Sequence, residues 1–304
     1  MKVVRTPDSY FAGLQDYPFA PNYVEVGALR MHYVDEGDRV AAPVLMLHGE
    51  PTWSYLYRHM IPVCAAAGHR VIAADLVGFG KSDKPTEQRA YSYQRHVDWM
   101  TEFIGTLDLT GITLFCQDWG SLIGLRVAAE NEERFARIVV ANGGLPTGIG
   151  EMRLPSLNAA AFLTWRTFAT ITPVLPISRI VDFGCRRSLS AEERRAYDAP
   201  FAVTGSKAGA RVFPRLVPIT ARNPAVAANR RAWETLARWE KPFLTLFSDG
   251  DPITRGVDRS LQRHVPGAAG RAHHRVCGGH FVQEDAGPEL ARRINDLIAE
   301  GLLV

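Results

Sequence analysis

The chain has 304 residues, of which 46% are hydrophobic and 22% are charged, and its formal net charge is +3. Such a composition is typical of a globular protein with one large domain or two smaller ones, and it excludes a disordered tail or a fibre. Because the charge excess is small and scattered, it also argues against a nucleic-acid-binding protein.

In chain order, short β-branched runs alternate with segments that have the length and period of helices. This alternation predicts an α/β fold, in which a mostly parallel sheet is covered by helices on both faces. The predicted elements are strand 29–35, strand 44–47, helix 55–67, strand 71–74, helix 91–107, strand 112–116, helix 121–130, strand 138–141, helix 225–239, strand 243–247, strand 271–277 and helix 289–300.

The alternation stops between residues 146 and 220. Seven prolines interrupt this stretch, and Ser190-Ala-Glu-Glu193 has the pattern of a capping box that starts a helix. We therefore predict a helical cap over 146–220, inserted into a core domain that is formed by 1–145 and 221–304.

Residues 114–124 carry the clearest chemical signal. An apolar strand runs into a helix through Cys116-Gln-Asp-Trp-Gly120, with a small residue two positions before and after Asp118. A nucleophile elbow needs such small neighbours because its tight turn brings backbones close together. An aspartate carboxylate is already charged at neutral pH, so Asp118 is predicted to attack a saturated carbon and form an ester that a second step hydrolyses. The alternative is an acid that only caps the following helix.

A base and a supporting acid follow in the order nucleophile, acid, histidine. His280 lies in Cys277-Gly-Gly-His-Phe281 at the exit of the last predicted strand, which favours a catalytic base over a structural histidine. The turn after strand 243–247 offers two acids. Asp251 is favoured over Asp249, because Asp249-Gly250 has the pattern of the turn itself. Asp251 would orient His280 and stabilise its cation.

The segment His48-Gly-Glu-Pro-Thr-Trp53 follows strand 44–47, where such folds supply a backbone N–H to an oxyanion hole. We predict that the backbones of Glu50 and Trp119 provide the two donors. The Glu50 side chain is a puzzle at this position, since a carboxylate beside an oxyanion is unhelpful unless it points elsewhere or holds water.

Two further patterns fail to predict a cofactor or metal site. Gly78-Phe-Gly-Lys-Ser82 resembles part of a phosphate loop, but Asp75 and Asp83 occupy positions where glycines are required, so a tight strand-exit loop is expected. His273 and His274 have no partner at helical spacing and no carboxylate cluster nearby. We expect neither a metal nor an organic cofactor.

Compartment and membrane signals are also weak. The four cysteines lie far apart without a C-x-x-C pair, which predicts reduced thiols in the cytoplasm. Residues 1–15 lack the apolar stretch of a signal peptide, and no apolar run reaches the roughly 18 residues of a membrane-spanning helix. We expect no membrane partner.

The chain resembles the haloalkane dehalogenases, a family with the α/β-hydrolase fold. The resemblance extends nearly end to end, and it implies an eight-stranded, mostly parallel sheet with an inserted helical cap. By this resemblance Asp118 is the nucleophile, His280 the base, Asp251 the supporting acid, and the backbones of Glu50 and Trp119 the oxyanion hole. The segments that carry it are 5–8, 48–58, 75–85, 116–121 and 278–284.

The family holds the departing halide between two indole N–H groups, one from the residue after the nucleophile and one, in one subgroup, from the cap. Trp119 matches the first position, and Trp165, the only tryptophan in 146–220, matches the second. Indole suits this task because it donates one hydrogen bond and offers no competing acceptor. The resemblance also implies three residues of the apolar pocket wall: Phe162, Phe213 and Pro214.

The resemblance implies that the protein hydrolyses carbon–halogen bonds in small haloalkanes to a primary alcohol, a halide ion and a proton, through an alkyl ester on Asp118. No cofactor takes part. A monomer is the default expectation for a capped fold of this length.

Four alternatives compete with this interpretation. Epoxide hydrolases share the Asp-His-Asp scheme but need cap tyrosines, and 146–220 contains only Tyr197, for which an exposed position is expected. Fluoroacetate dehalogenases need an arginine clamp near the nucleophile, and Arg126 lies two helical turns away. A serine esterase is disfavoured because Ser121 is off the elbow position. A non-catalytic binding protein would be expected to have lost a member of the triad.

Overall fold

The computed structural model describes residues 1–148 and 157–300, so residues 149–156 of the predicted cap lie outside the described residues. The strands, in chain order, are β1 (Val3–Val4), β2 (Asn22–Val26), β3 (Leu29–Glu36), β4 (Pro43–Leu47), β5 (Arg70–Ala74), β6 (Lys84–Pro85), β7 (Ile112–Gln117), β8 (Phe135–Ala141), β9 (Phe243–Ser248) and β10 (His274–Val276).

The helices surround the sheet and fill the stretch between β8 and β9. They are α1 (Ile61–Ala66), α2 (Tyr93–Thr106), α3 (Trp119–Glu130), α4 (Leu157–Ile171), α5 (Ile177–Gly184), α6 (Ala191–Asp198), α7 (Ala208–Leu216), α8 (Val226–Leu236), α9 (Val257–His264) and α10 (Val282–Glu300).

Eight strands form one sheet in the order β10-β9-β8-β7-β4-β5-β3-β2, while β1 and β6 pair separately. The six strands from β10 to β5 in this order run parallel, and β3 and β2 complete the sheet in antiparallel pairing. The structure therefore confirms the predicted α/β fold with an eight-stranded, mostly parallel sheet.

Strand β4 shows why the central strands form. All its residues are buried and apolar, as expected for a strand that is covered on both faces. Because side chains alternate along a strand, Leu45 and Leu47 enter one hydrophobic cluster and Val44 and Met46 enter the other. The sheet thus separates two cores, each closed by helices.

The local signals at helix starts hold in the structure. The predicted capping box is present: the Ser190 hydroxyl accepts from Glu193 N at 3.1 Å, and the Glu193 carboxylate accepts from Ser190 N at 2.8 Å, at the start of α6. Ser92 caps α2 by accepting from Arg95 N at 3.2 Å. In contrast, the predicted helix 55–67 is a short 3₁₀ turn followed by α1, which has Pro62 in its first turn.

The edge strand β2 and helix α9 do not appear among the elements predicted from the sequence. In β2 the period-two signal is short: Val24 and Val26 are buried while Glu25 is exposed. Helix α10 begins earlier than the predicted 289–300, and it bends where Ala286 has non-helical angles shortly before Pro288.

Parallel topology gathers the candidate residues. Loops that follow β4, β7, β9 and β10 all leave the sheet at its carboxyl edge. These loops carry Glu50, Asp118, Asp251 and His280 respectively.

Candidate active site

Asp118 lies between the end of β7 and the start of α3, in a strained turn. Its φ of 49° and ψ of −126° are unusual for a residue with a side chain, and such angles cost roughly 1–3 kcal/mol. The turn passes so close to β4 that a Cβ on Gly120 would stand 1.9 Å from the Leu47 carbonyl oxygen. The small residue predicted at 120 is therefore required by a backbone contact.

The Asp118 carboxylate is held at both oxygens. Glu50 N donates to Asp118 Oδ1 at 2.7 Å, and His280 Nε2 lies 3.4 Å from Asp118 Oδ2. Trp119 occupies the first position of α3, so its backbone N–H belongs to the set of helix-start donors that the helix leaves without a partner. Of the two donors predicted for an oxyanion hole, the Glu50 N–H thus contacts the predicted nucleophile, and the Trp119 N–H belongs to the residue directly after it.

Asp251 lies on the other side of the His280 ring. Its Oδ2 is 3.1 Å from His280 Nδ1, and its Oδ1 accepts from Ile253 N at 2.8 Å. The Thr254 hydroxyl also donates to Asp251 Oδ2. The rival acid Asp249 faces the surface, where it accepts from the Arg186 guanidinium at 3.0 Å. Of the two acids that the sequence left open, the structure places Asp251 at the histidine.

The pKa values of His280 and Asp251 both differ from the ordinary values of these side chains. Burial lowers the pKa of His280, but Asp251 and Asp118 outweigh burial and raise that pKa to about 10. Burial raises the pKa of Asp251, but the imidazolium beside it lowers that pKa below its ordinary value. The arrangement therefore favours an imidazolium between two carboxylates when Asp118 is unmodified.

The Glu50 side chain is buried beside the nucleophile. Burial, together with the negative charge of Asp118, raises the pKa of Glu50 well above its ordinary value. Its Oε1 is buried and has no hydrogen-bond partner among residues 1–148 and 157–300. The raised pKa favours the neutral carboxylic acid, which would place no second negative charge beside the predicted oxyanion site.

A mostly apolar cavity of about 1130 Å³ opens above Asp118 and His280, and Trp119 and Trp165 both line it. Neither indole N–H has an acceptor among the described residues, whereas Trp53 donates its N–H to Ala196 O at 3.1 Å. Further lining comes from Phe162 and Pro214 and, among exposed side chains, from Arg179, Arg186 and Arg255.

Phe213 lies behind this wall. It is fully buried, and its ring centroid is 4.6 Å from that of Trp119 and 4.8 Å from that of Phe79. Consecutive residues on a helix point about 100° apart, so α7 turns Pro214 to the cavity and Phe213 to the core. Phe213 thus supports the Trp119 ring from behind.

The residues that the alternatives depend on are engaged elsewhere. Tyr197 is fully buried and donates its hydroxyl to Glu284, so the expectation of an exposed position was wrong; α6 packs this face against the core. Arg126 is buried and donates to Asn229 Oδ1 at 2.9 Å. The Ser121 hydroxyl donates to Asp118 O at 2.5 Å.

Asn142 is a site residue that the sequence patterns did not single out, and it follows β8 with a φ of 33°. Its carbonyl accepts from Asp118 N at 3.1 Å, and its side-chain amide donates to the carbonyls of Gly279 at 2.8 Å and His280 at 3.0 Å. One residue therefore links the nucleophile turn to the histidine loop. The Asn-Gly-Gly sequence at a strand exit was the signal that could have found it.

Comparison with known proteins leads in the same direction. A family model described as alpha/beta hydrolase fold matches residues 42–173. A haloalkane dehalogenase of Mycobacterium marinum is 56% identical over 97% of this chain and 99% of its own length. The chain belongs to the haloalkane dehalogenase family. A further haloalkane dehalogenase, from Psychrobacter cryohalolentis, is 51% identical over 98% of each chain.

Solved structures of the family also resemble this fold. The haloalkane dehalogenase DpaA from Paraglaciecola agarilytica, described as tetrameric, superposes with a TM-score of 0.88 at 36% identity, over 96% of this chain and 97% of that one. The sequence-based assignment to this family is confirmed.

Within the part of the present chain that the structure describes, no helix has the length and hydropathy to cross a membrane.

Proposed function

We propose that this protein hydrolyses carbon–halogen bonds in haloalkanes to give an alcohol, a halide ion and a proton. The observation that carries the proposal is the row Asp118, His280 and Asp251 at the floor of an apolar cavity, with distances of 3.4 and 3.1 Å along it. Family membership supports the same reaction.

In the first half of the reaction, a carboxylate oxygen of Asp118 attacks the halogen-bearing carbon in line with the leaving group. The new carbon–oxygen bond forms as the carbon–halogen bond breaks, and the halide keeps the bonding electron pair. The indole N–H groups of Trp119 and Trp165 stabilise the developing anion inside an apolar pocket, where such hydrogen bonds are stronger than in water. Their position on the cavity wall supports this role.

In the second half, neutral His280 removes a proton from water, and the hydroxide oxygen attacks the carboxyl carbon of the Asp118 ester. The tetrahedral oxyanion is stabilised by the N–H groups of Glu50 and Trp119. Collapse of this intermediate breaks the ester bond, the alcohol leaves with the proton from His280, and Asp118 loses its own proton to solvent. The contact of Glu50 N with Asp118 Oδ1 at 2.7 Å supports this assignment.

The helices between β8 and β9 supply much of the cavity wall, including Phe162, Trp165 and Pro214. We propose that the segment 146–220 is the cap that sets substrate size, and that this chain belongs to the subgroup with the second halide-binding tryptophan in the cap. Core residues 1–145 and 221–304 would supply the reacting groups.

The nearest enzymatic alternative is an epoxide hydrolase, and the other alternative is a binding protein without activity; family membership favours neither. The test is to measure halide release from 1-bromobutane and 1,2-dibromoethane in parallel with hydrolysis of styrene oxide. Catalytic halide release with little epoxide hydrolysis is the expected result. Rapid epoxide opening without halide release would establish the first alternative, and binding without either reaction the second.

Ester hydrolysis is expected to accelerate with rising pH, because only neutral His280 can act as the base. In the unmodified protein, burial lowers the pKa of His280, but Asp251 and Asp118 together raise it to about 10. Alkylation removes the charge of Asp118, so the pKa of His280 in the ester falls below that value. The rate of ester decay after rapid mixing should therefore rise with pH through an apparent pKa below about 10. A stopped-flow pH series measures it, and a rate that falls over this range would contradict the role of His280.

The four cysteines are free thiols in the structure, which supports the proposal of a reducing compartment such as the cytoplasm.

That the protein is a monomer is still a prediction. Light scattering of the purified protein tests it, and the tetrameric relative from Paraglaciecola agarilytica makes a larger assembly the informative alternative.

A further inference from the structure

The loop that carries His280 is packed directly against the end of α5 and the residues after it. Phe281 N donates to Gly184 O at 3.2 Å. A Cβ on Gly279 would stand 2.3 Å from that same carbonyl oxygen, and a Cβ on Gly184 would stand 2.6 Å from the Phe281 ring. Gly279 therefore packs against the backbone of Gly184, and Gly184 packs against the Phe281 ring, which leaves no room for a larger residue at 279.

One carboxylate joins the two backbones. Asp285 Oδ2 accepts from Gly279 N at 2.8 Å, on the residue directly before His280. The same carboxylate accepts from Arg186 N at 2.9 Å and from Arg187 N at 3.0 Å. Hydrogen bonds from N–H groups to an ionised carboxylate are stronger than those between neutral groups.

The position of Asp285 is fixed by the residue before it, Glu284. Glu284 is buried, and its carboxylate accepts from Arg58 Nη1 at 2.5 Å and from Arg58 Nη2 at 2.9 Å. Arg187 also donates to the Glu284 carboxylate. Because the first turn of α10 is anchored to the core in this way, the carboxylate of Asp285 presents fixed acceptors to the histidine loop.

The opposite side of the loop is held by the core. Asn142 Nδ2 donates to Gly279 O at 2.8 Å, and the Ser248 hydroxyl donates to the same oxygen at 2.7 Å. Asn142 and Ser248 thus bind the carbonyl oxygen of Gly279, whereas Asp285 accepts the hydrogen bond from its N–H group. A second bridge runs through Asp249, from Gly278 N at 3.2 Å to the Arg186 guanidinium, but it is exposed and therefore screened by solvent.

We propose that Asp285 is a positioning residue that fixes the position of His280 and couples it to the segment 184–187, of which residues 184–186 line the cavity. The proposal rests on the proposed function, because it assigns Asp285 to the half of the reaction that needs His280. Attack by Asp118 does not need the imidazole as a base. Loss of the bridge should therefore slow ester hydrolysis and leave ester formation nearly unchanged.

The test is Asp285→Asn, which keeps the size of the side chain but replaces one acceptor oxygen by an NH₂ donor. With 1-bromobutane, rapid mixing should show a bromide burst of one equivalent at nearly the unmodified rate, followed by turnover that is roughly 10- to 100-fold slower. Mass spectrometry of the intact protein should show the butyl ester accumulating. Asp285→Glu, which keeps a carboxylate, should recover part of the lost turnover.

The matched control is Asp182→Asn. Asp182 lies in the same region, but its carboxylate accepts from the backbone N–H of Leu189 at 2.6 Å and from the Arg194 guanidinium at 3.4 Å rather than from the histidine loop. Its loss should leave the ratio of burst to turnover unchanged. Equal slowing of burst and turnover in Asp285→Asn, unchanged turnover, or failure of both Asp285 variants to fold would overturn the proposal. Absence of bromide release from the unmodified protein would instead refute the proposed function.

Discussion

Replacing Asp118 with alanine is expected to lower the rate of dehalogenation by at least about 10⁴-fold, the scale on which removal of a nucleophile acts in other hydrolases. Without the carboxylate, water alone must displace the halide from a saturated carbon. The Trp119 and Trp165 side chains would remain, so halide binding should persist while turnover is lost. Steady-state halide release from 1-bromobutane measures the effect, and circular dichroism verifies that the variant folds.

Asp35→Asn is the matched control for this loss. Asp35 lies on β3 and pairs with Arg70 at 2.9 Å, so the change removes a largely buried carboxylate that does not line the cavity. Its turnover should stay near that of the unmodified protein.

Under single-turnover conditions in ¹⁸O-labelled water, the label should enter the Asp118 carboxylate and not the alcohol. A labelled alcohol with unlabelled Asp118 would show direct attack by water.

The positions of the candidate catalytic residues could be predicted from the sequence because each of them follows a strand. Asp118 and His280 lie at strand exits marked by small residues, and parallel strands bring such exits to one edge of the sheet. The choice between Asp249 and Asp251 rested on turn chemistry, and the geometry agrees with it. These are local signals that depend little on how helices pack.

The remainder depends on packing that no local pattern encodes. Whether Phe213 or Pro214 reaches the cavity follows from the rotation of α7, and the burial of Tyr197 follows from the docking of α6. The raised pKa of Glu50 comes from its burial beside Asp118, which only the folded structure shows.

Asp285 shows the same limit at the surface of the site. In the sequence it is one of two consecutive acids before a predicted helix, a pattern that is typical of a solvated helix start. Only the approach of the segment 184–187 to the histidine loop reveals three backbone N–H groups directed at its carboxylate. That approach joins residues about one hundred positions apart in the chain, so no local pattern could have predicted it.

Replacing His280 with glutamine or phenylalanine is expected to stop the reaction halfway. Asp118 can still displace halide, so each enzyme molecule should release one equivalent, after which hydrolysis of the ester slows by roughly 10²- to 10⁴-fold because the general base is missing. Glutamine can still donate a hydrogen bond to Asp251, which lies 3.1 Å from the imidazole, so this variant should keep the buried acid satisfied.

Burst kinetics with 1-bromobutane and the mass of the trapped ester measure this outcome, and His264→Gln, on the exposed face of α9, serves as the control for loss of a histidine. Comparison of Asp118→Ala with His280→Gln separates the two halves of the reaction. Asp118→Ala should remove the burst itself, whereas His280→Gln should remove only the turnover that follows the burst. Continued turnover in both His280 variants would show that another group activates water. The division of labour along the row Asp118, His280 and Asp251 would then be wrong, even though its geometry is as described.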